Sequence, residues 1–151
     1  MINSQNENVQ NLLPPAAIVN NAAFTINVLD TIGYDYVDIY LVLGALDIAL
    51  AVCKLNESDV KGSSTTLTSG TLVPGSDYSV SPATLPAATD DNHIFVWRVN
   101  CNGPRKRYLL PAVTMGNGST GGFATIIAVL GRADQMPSTA AGRGLTQELF
   151  C

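Results

Sequence analysis

The chain has 151 residues, the usual length of one domain, and 46% of them are apolar while only 13% are charged. An average soluble domain carries about 25% charged residues, so the sequence predicts that part of the exterior is covered by other protein; a monomer coated with Ser, Thr and Asn is the alternative. The net charge of −4 excludes a partner recognised chiefly through phosphates, because such binding needs clustered Lys and Arg. Nucleic acid is therefore not an expected partner.

Three cysteines, Cys53, Cys101 and Cys151, lie far apart in the sequence and form no C-x-x-C pair. This odd number predicts no disulfide scaffold, and Cys53 and Cys101 are interpreted as small apolar side chains in a reducing compartment. The sequence shows no secretion signal and no apolar run near the roughly 18 residues that span a bilayer. We therefore expect no membrane partner and synthesis in the cytoplasm.

Residues 1–15 are predicted to form an N-terminal arm. They are rich in Asn and Gln, lack the pattern of a core element, and end at Pro14-Pro15, which prevents helix continuation. Leu12 and Leu13 give this arm apolar side chains that could contact a neighbouring subunit.

Alternating apolar residues predict strands in the first half of the chain. The pattern is present in residues 16–29 and is clearest in residues 36–43, where every second side chain is apolar. Residues 48–55 are apolar and contain several Ala, a composition that is compatible with a helix as well as with a strand. We favour a strand there, because the stretch is short and turn residues bound it on both sides.

Residues 56–91 are rich in Ser, Thr, Gly and Pro and are predicted to form short strands and loops. Residues 93–100 have two largely apolar faces, which is typical of a central strand. Residues 107–115 and 123–130 follow as two further strands. The Gly-rich residues 116–122 between them predict a hairpin.

Six or more strands with closely spaced turns predict an all-β fold, an antiparallel β-sandwich or jelly-roll-like barrel over residues 16–132. Residues 133–151 are predicted to form a C-terminal arm, in which Leu145, Leu149 and Phe150 could contact a neighbour. Frayed chain ends would explain the composition of both arms equally well.

The basic run Arg105, Lys106 and Arg107 follows a turn and could bind an acidic neighbour, although a solvated strand start explains it as well. The spacing of Gly116, Gly118 and Gly121 matches a dinucleotide fingerprint. The chain that follows is predicted to be a strand instead of the required helix, so a glycine-rich loop is favoured. No cofactor is expected.

His93 is the only histidine, and no sequence spacing joins it to further metal ligands or to a nucleophilic serine. Asp90, Asp91 and Asn92 lack the rest of a calcium loop and are interpreted as a turn before a strand. Acids such as Asp30 and Asp47 lie at turns, where Asp is an ordinary turn former. The sequence therefore predicts no catalytic residues, no metal site and no enzymatic activity.

Four segments resemble a family of small tailed-phage and prophage virion proteins, roughly over residues 14–135. They are D-T-x-G-Y-D-Y-V at 30–37, L-G-A-L-D-I-A-L at 43–50, K-L-N-E-S-D at 54–59 and R-K-R-Y-L at 105–109. The resemblance implies a homotrimeric β-sandwich that binds the outer capsid surface and bridges neighbouring major capsid subunits as a decoration, or cement, protein. It implies localisation to the virion after synthesis in the host cytoplasm.

Two other functions stay open at this point. A tail or other virion component would share the composition and the phage setting. A carbohydrate-binding β-sandwich would instead present aromatic side chains to solvent, and Trp97 or Tyr108 would be the expected contacts.

Overall fold

A computed structural model describes residues 6–135, 137 and 139–149 of the chain. The predicted all-β class is confirmed, because the long elements of the described residues are all strands, and the 3₁₀ helices Ala88–Asp90 and Ala141–Arg143 are single turns. The strands in chain order are β1 (Glu7–Leu13), β2 (Leu29–Asp30), β3 (Tyr34–Leu46), β4 (Leu50–Ser58), β5 (Val60–Lys61), β6 (Leu67–Thr68), β7 (Thr71–Leu72), β8 (Ile94–Asn100), β9 (Tyr108–Met115) and β10 (Gly122–Ala133).

Two four-stranded antiparallel sheets make up the sandwich. The first sheet has the order β1-β10-β3-β8 and the second has the order β2-β9-β4-β7, while β5 and β6 form a small separate hairpin. This architecture confirms the predicted antiparallel β-sandwich. The short strands β5 to β7 lie in the Ser- and Thr-rich region, where brief strands were expected.

The core lies between the two sheets and follows the two-residue period of the sequence. In β3 the side chains of Val37, Ile39 and Leu41 are fully buried, and their neighbours along the strand point outward. The second sheet contributes Leu55 and Leu109 from the opposite side. Each large aliphatic side chain buried in this way contributes about 1.5–3 kcal/mol to folding, so the alternation fixes which face of each strand points inward.

Several sequence predictions hold along the middle of the chain. Residues 48–55 enter strand β4, so the strand interpretation of this Ala-rich stretch is confirmed. Ile26 and Val28 are buried as the alternation in residues 16–29 predicted. The strand predicted there is nevertheless wrong, because the segment bends near Ala17 and Asn21 and makes only isolated bridges, Val19 with Gly122 and Ala23 with Thr114, before the short strand β2.

The predicted hairpin over residues 107–130 is wrong. Strand β9 belongs to the second sheet and β10 to the first, so the Gly-rich connection crosses from one sheet to the other. Gly121 has a φ of 91°, and a Cβ at this position would collide with the carbonyl oxygen of Val19. Asp47 accepts a hydrogen bond from the backbone N–H of Thr120 and holds the crossing loop in place.

The prediction that residues 93–100 form a central strand is also wrong, because β8 lies at the edge of the first sheet. Residues 76–78 cover part of its free edge. The Tyr78 hydroxyl donates a hydrogen bond to the Val96 carbonyl over 2.9 Å, and the Trp97 indole N–H donates one to the Ser76 carbonyl over 2.8 Å. This cover protects the edge without a further strand.

The predicted N-terminal arm requires a correction for residues 7–13, which form β1 and pair with β10 along the edge of the first sheet. Leu12 and Leu13 are buried in the core. Asn8, Gln10 and Asn11, which contributed to the arm prediction, are partly or fully accessible along this edge strand, where polar side chains are tolerated.

The C-terminal arm predicted over residues 133–151 also requires a correction, because Ala133 ends strand β10 and the turn at Ala141–Arg143 packs on the sandwich beside β1. The Asn8 amide donates a hydrogen bond to the Gly142 carbonyl over 2.7 Å. Arg143 is buried and pairs with Glu148, and its guanidinium also donates to the Pro137 carbonyl over 2.7 Å. In the isolated chain this segment covers the edge of β1 and does not extend away from the body.

Candidate interaction surface

The outward side of the first sheet, called here the outer face, follows from the strand register. The alternate residues of β3 that do not enter the core point outward, and their cross-strand partners in β8, β10 and β1 point the same way. The outer face consists of Tyr36, Asp38, Tyr40, Val42 and Gly44 in β3, Ile94, Val96, Arg98 and Asn100 in β8, Phe123, Thr125, Ile127, Val129 and Gly131 in β10, and Glu7, Val9 and Asn11 in β1.

One half of the outer face, called here the apolar end, carries no charged side chain. Its apolar members are Tyr40, Val42, Ile94, Val96, Phe123 and Ile127, and Gly44, Thr125 and Asn11 lie among them. Ile94 is 63% exposed, Phe123 41% and Ile127 36%, although all three lie in strands, Phe123 at the register shift between Gly122 and Ala124. Contiguous exposed apolar side chains on a soluble domain mark a surface that contacts another molecule.

Phe123 lies beside a glycine of the neighbouring strand. A Cβ on Gly44 would lie 3.0 Å from the Cβ of Phe123, so the base of the Phe123 side chain packs against Gly44. Phe123 is 41% exposed and therefore forms part of the accessible surface.

The other half, called here the polar end, surrounds a depression of about 400 Å³ at the end of β3 and β8. Of the outer face it contains Glu7, Tyr36, Asp38, Arg98 and Asn100, and Asp35, Asn102 and Arg132 also line the depression. The Arg98 Nε atom lies 3.9 Å from the Asp38 carboxylate, which in turn accepts a hydrogen bond from Tyr40 over 3.3 Å. Burial, followed by the Asp38 charge, raises the pKa of Tyr40, so this hydroxyl stays protonated and donating.

The second sheet has a different outward surface. Its outward side chains are Val52, Lys54 and Asn56 in β4, Leu110, Ala112 and Thr114 in β9, and Leu72 in β7. Among these described residues only Leu72, at the edge of the sheet, is a large apolar side chain that is substantially exposed. The apolar end therefore has no counterpart on the opposite side of the sandwich.

The basic run that was predicted to bind an acidic neighbour is paired within the chain. Arg107 donates two hydrogen bonds to the Asp30 carboxylate over 2.8 and 2.7 Å, and these bonds lower the pKa of Asp30 below its ordinary 3.8. Arg105 lies 3.7 Å from the Glu57 carboxylate, which also accepts the Lys106 backbone N–H over 3.2 Å. These two carboxylates offset two of the three charges, whereas the Lys106 ammonium donates to the Thr71 hydroxyl over 3.0 Å and keeps its charge.

The remaining predicted contact residues are divided by the structure. Leu12 and Leu13 belong to the core, so neither offers a surface in the isolated chain. Leu145 is half-buried and Leu149 is 78% exposed, while Phe150 lies outside the described residues. Leu149 is therefore the predicted apolar contact that the described structure leaves accessible.

The aromatic platforms expected for a carbohydrate-binding module are both occupied. Trp97 is buried, with its indole N–H bonded to Ser76. The Tyr108 ring is covered by Arg107, whose guanidinium carbon lies 4.8 Å from the ring centroid. Neither ring offers a free face for sugar stacking.

The outer face was missed by the sequence analysis, although the signal was present. Val42, Ile94 and Ile127 are apolar at positions that alternate with the core residues, so each strand is apolar on both sides. In residues 93–100 this feature was assigned to burial on both faces of a central strand. The alternative, an exposed apolar surface, follows once the strand is placed at an edge.

The remaining reactive or metal-binding side chain types do not form a second candidate site within the described residues. Burial raises the pKa of the Cys53 thiol to about 12, so this thiol is protonated in the core. Within residues 6–135, 137 and 139–149, no three His, Cys, Asp or Glu side chains are grouped to hold a metal ion. No helix in this part of the chain is long and apolar enough to cross a membrane.

The fold defines the chain as an antiparallel β-sandwich protein, and comparisons with known proteins add one likeness. No family model matches the chain, and no curated protein matches it. The crystal structure of the SPBc2 prophage-derived protein YomS is similar with a TM-score of 0.38 at 10% identity, covering 82% of this chain and 91% of that one. A likeness of this size carries no argument about function.

Proposed function

We propose that the chain is a non-enzymatic structural protein of a phage particle, a decoration or cement protein that binds the outer capsid surface and bridges neighbouring major capsid subunits. The observation that supports this proposal is the apolar end of the outer face, where Ile94, Phe123 and Ile127 are exposed in the isolated chain. The sequence resemblance supplies the phage setting and the expectation of a homotrimer.

The composition supports a role in contact with other protein. Only 13% of the residues are charged, and the apolar end carries none of them. A large aliphatic side chain that becomes fully buried contributes about 1.5–3 kcal/mol. The exposed side chains of the apolar end can therefore contribute useful binding energy against a complementary apolar surface.

A capsid provides the conditions in which such modest contacts are sufficient. Symmetry repeats each contact many times, and a subunit that is held at one site reaches the next at a high effective concentration. A small sandwich with one apolar surface can thus strengthen the seams between capsid subunits without a catalytic group.

The experiment compares two matched isoleucine substitutions in capsid binding. Ile94→Lys introduces a charge into the apolar end, whereas Ile32→Lys does so at an equally accessible turn, since the two residues are 63% and 61% exposed. Capsids of the encoding phage are incubated with each variant, sedimented and imaged. We expect Ile94→Lys to lower occupancy by about tenfold or more, which corresponds to a lost contact of about 1.4 kcal/mol. Ile32→Lys is expected to leave occupancy unchanged.

The same images separate a capsid protein from a tail component. Density for the chain on the capsid lattice supports decoration, and density restricted to the tail contradicts it. Equal occupancy for both variants, with thermal unfolding curves that show both to be folded, would reject the apolar end as the docking surface.

A further inference from the structure

Two Asn-Gly pairs, Asn102-Gly103 and Asn117-Gly118, lie in the loops that cross from one sheet to the other. The side chain of an asparagine can be attacked by the backbone nitrogen of the next residue. A glycine in that next position favours the attack, because it has no side chain to hinder the approach. Both asparagines are exposed, so the surroundings of the two glycine nitrogens decide whether either pair reacts.

We propose that Asn102 is a site of spontaneous deamidation and that Asn117 is protected from the same reaction. The Gly103 nitrogen bonds to the Asn102 Cγ, the bond from Cγ to the side-chain nitrogen breaks, and ammonia leaves with the proton of the Gly103 N–H. Water then adds to one of the two carbonyls of the succinimide ring and breaks its bond to nitrogen. The product at position 102 is aspartate or isoaspartate, and the only co-reactant is solvent water.

Both reacting groups of the Asn102-Gly103 pair are accessible. Within the part of the chain that the structure describes, neither the Asn102 side-chain amide nor the Gly103 N–H makes a hydrogen bond, and both residues are exposed. The bonds nearby use other atoms. The Asn102 backbone N–H donates to the Asn100 side chain over 3.0 Å, and the Arg105 N–H donates to the Gly103 carbonyl over 2.7 Å. No bond therefore has to break before the Gly103 nitrogen can approach the Asn102 side chain.

The fold does not require a glycine at position 103. Its φ lies outside the left-handed region, and a Cβ there would meet only the Asn100 carbonyl oxygen, at an ordinary contact distance of 3.7 Å. An alanine therefore fits this loop without strain. This property allows the reaction to be hindered without altering the fold.

The Asn117-Gly118 pair has the same sequence and a different environment. The Asn20 side-chain oxygen accepts the Gly118 N–H over 3.1 Å, and the Asn20 side-chain nitrogen donates to the Gly118 carbonyl over 2.9 Å. A Cβ on Gly118 would collide with the Asp47 carboxylate, so the backbone is also held from a second side. The Gly118 nitrogen has to give up its bond to Asn20 before it can attack Asn117, and this requirement slows the reaction.

Deamidation at position 102 changes one end of the first sheet. It adds one negative charge to a chain whose net charge is −4, at the depression that Asn102 lines with Arg98 and Arg132. Isoaspartate also lengthens the main chain by one carbon in this crossing loop. The apolar end contains neither asparagine, so the proposal is independent of the proposed capsid role.

The experiment follows both asparagines in the full, unmodified chain. The protein is incubated in warm, mildly alkaline buffer, sampled over time, digested with trypsin and analysed by mass spectrometry. Arg105, Lys106 and Arg107 separate the two asparagines into different tryptic peptides, and a sample digested without incubation gives the background. We expect Asn102 to deamidate at least about tenfold faster than Asn117, a difference in barrier of about 1.4 kcal/mol.

A synthetic peptide of residues 99–105 provides the reference for an unfolded Asn-Gly pair. Labelling with protein isoaspartyl methyltransferase identifies the isoaspartate product at position 102. Equal rates at the two asparagines, a faster reaction at Asn117, or an unmodified Asn102 after the reference peptide has reacted would each overturn the proposal.

Three variants test the physical cause. Gly103→Ala is expected to slow deamidation of Asn102 about tenfold or more, because the added methyl group hinders the attack. Asn20→Ala removes both bonds to Gly118 and is expected to raise the rate at Asn117 toward that at Asn102. Asn20→Asp is the matched control, because it keeps an acceptor for the Gly118 N–H and should leave Asn117 protected.

Thermal unfolding curves establish that each variant is folded under the conditions of incubation. An unchanged rate at Asn102 in Gly103→Ala would contradict attack by the Gly103 nitrogen. Equal rates at Asn117 in Asn20→Ala and Asn20→Asp would contradict protection by the bond to the Gly118 N–H.

Discussion

The outward surfaces of the two sheets differ in how far the chain's own residues pair or cover their side chains. At one end of the second sheet, acids pair with the basic run, and its outward side chains are small or polar. The apolar end of the first sheet has neither charged pairs nor a covering segment among the described residues. The two sheets contribute alike to the core, so the difference concerns surfaces and indicates where another protein is needed.

The comparison also shows how charged residues are distributed over the two surfaces. The outward positions of the second sheet include one charged side chain, Lys54, and those of the first sheet include Glu7, Asp38 and Arg98, all outside the apolar end. The two surfaces therefore differ in the exposed apolar side chains of the apolar end and not in their number of charges.

The largest expected effect is a difference in unfolding free energy between two neighbouring residues of the first sheet, one facing the core and one facing outward. Ile126 is fully buried and Ile127 is 36% exposed. Ile126→Ala is expected to lower the free energy of unfolding by about 2–5 kcal/mol, because it leaves a cavity in the core. Ile127→Ala is expected to cost less than about 1 kcal/mol. Urea unfolding curves of the two variants test this, and equal costs would show that the outer face is already packed.

The second effect concerns the charged pairs at the end of the second sheet. Glu57 is buried, and its carboxylate accepts the Lys106 N–H and lies beside Arg105. Glu57→Ala is expected to cost about 1.5–3 kcal/mol, the value of hydrogen bonds to a charged group. Asp59→Ala at an exposed neighbouring position is the control and should be nearly neutral. A neutral Glu57→Ala would mean that these pairs do not stabilise this end of the sheet.

A smaller effect is expected at the aromatic side chain beside Gly44. Phe123→Ala removes the ring and is expected to lower the free energy of unfolding by about 1 kcal/mol, through lost cross-strand contacts, while reducing capsid occupancy. Chemical denaturation measures the first quantity and sedimentation with capsids the second. Loss of stability without loss of occupancy would limit Phe123 to a structural role.

The smallest expected effect is the pH-dependent contribution of the Asp30–Arg107 pair in the second sheet to stability. Hydrogen bonds from Arg107 lower the pKa of Asp30 in the folded chain below 3.8, so the pair stabilises the fold above that pH. This contribution is lost as the pH falls through the lowered folded pKa. Asp30→Asn should therefore be less stable than the unmodified chain at neutral pH and should approach it in strong acid. Thermal unfolding across this range checks the sign, and a difference that grows on acidification would contradict it.

Much of the sandwich could be predicted because its central strands alternate cleanly. Val37, Ile39 and Leu41 identified one buried face, and the structure places them there. The crossing between β9 and β10 could not be predicted from local pattern. A glycine-rich loop permits both a hairpin within one sheet and a connection between two sheets, and only the pairing of distant strands decides between them.

The edge strands escaped prediction for a related reason. Strand β1 carries polar side chains that are typical of an arm, and its burial of Leu12 and Leu13 depends on a partner near the other end of the chain. The candidate surface depends on the same long-range pairing. Whether Ile94 or Ile127 is covered follows from the arrangement of whole sheets and not from residues near them in sequence.

The pairing of β1 with β10 has a consequence for the synthesis of the protein. Glu7 lies opposite Gly131, so β1 cannot pair with its partner strand until β10 has been translated. Until then no partner strand covers Leu12 and Leu13, and an unpaired strand with exposed apolar side chains is prone to aggregation. Synthesis that stalls before β10 should therefore yield insoluble fragments.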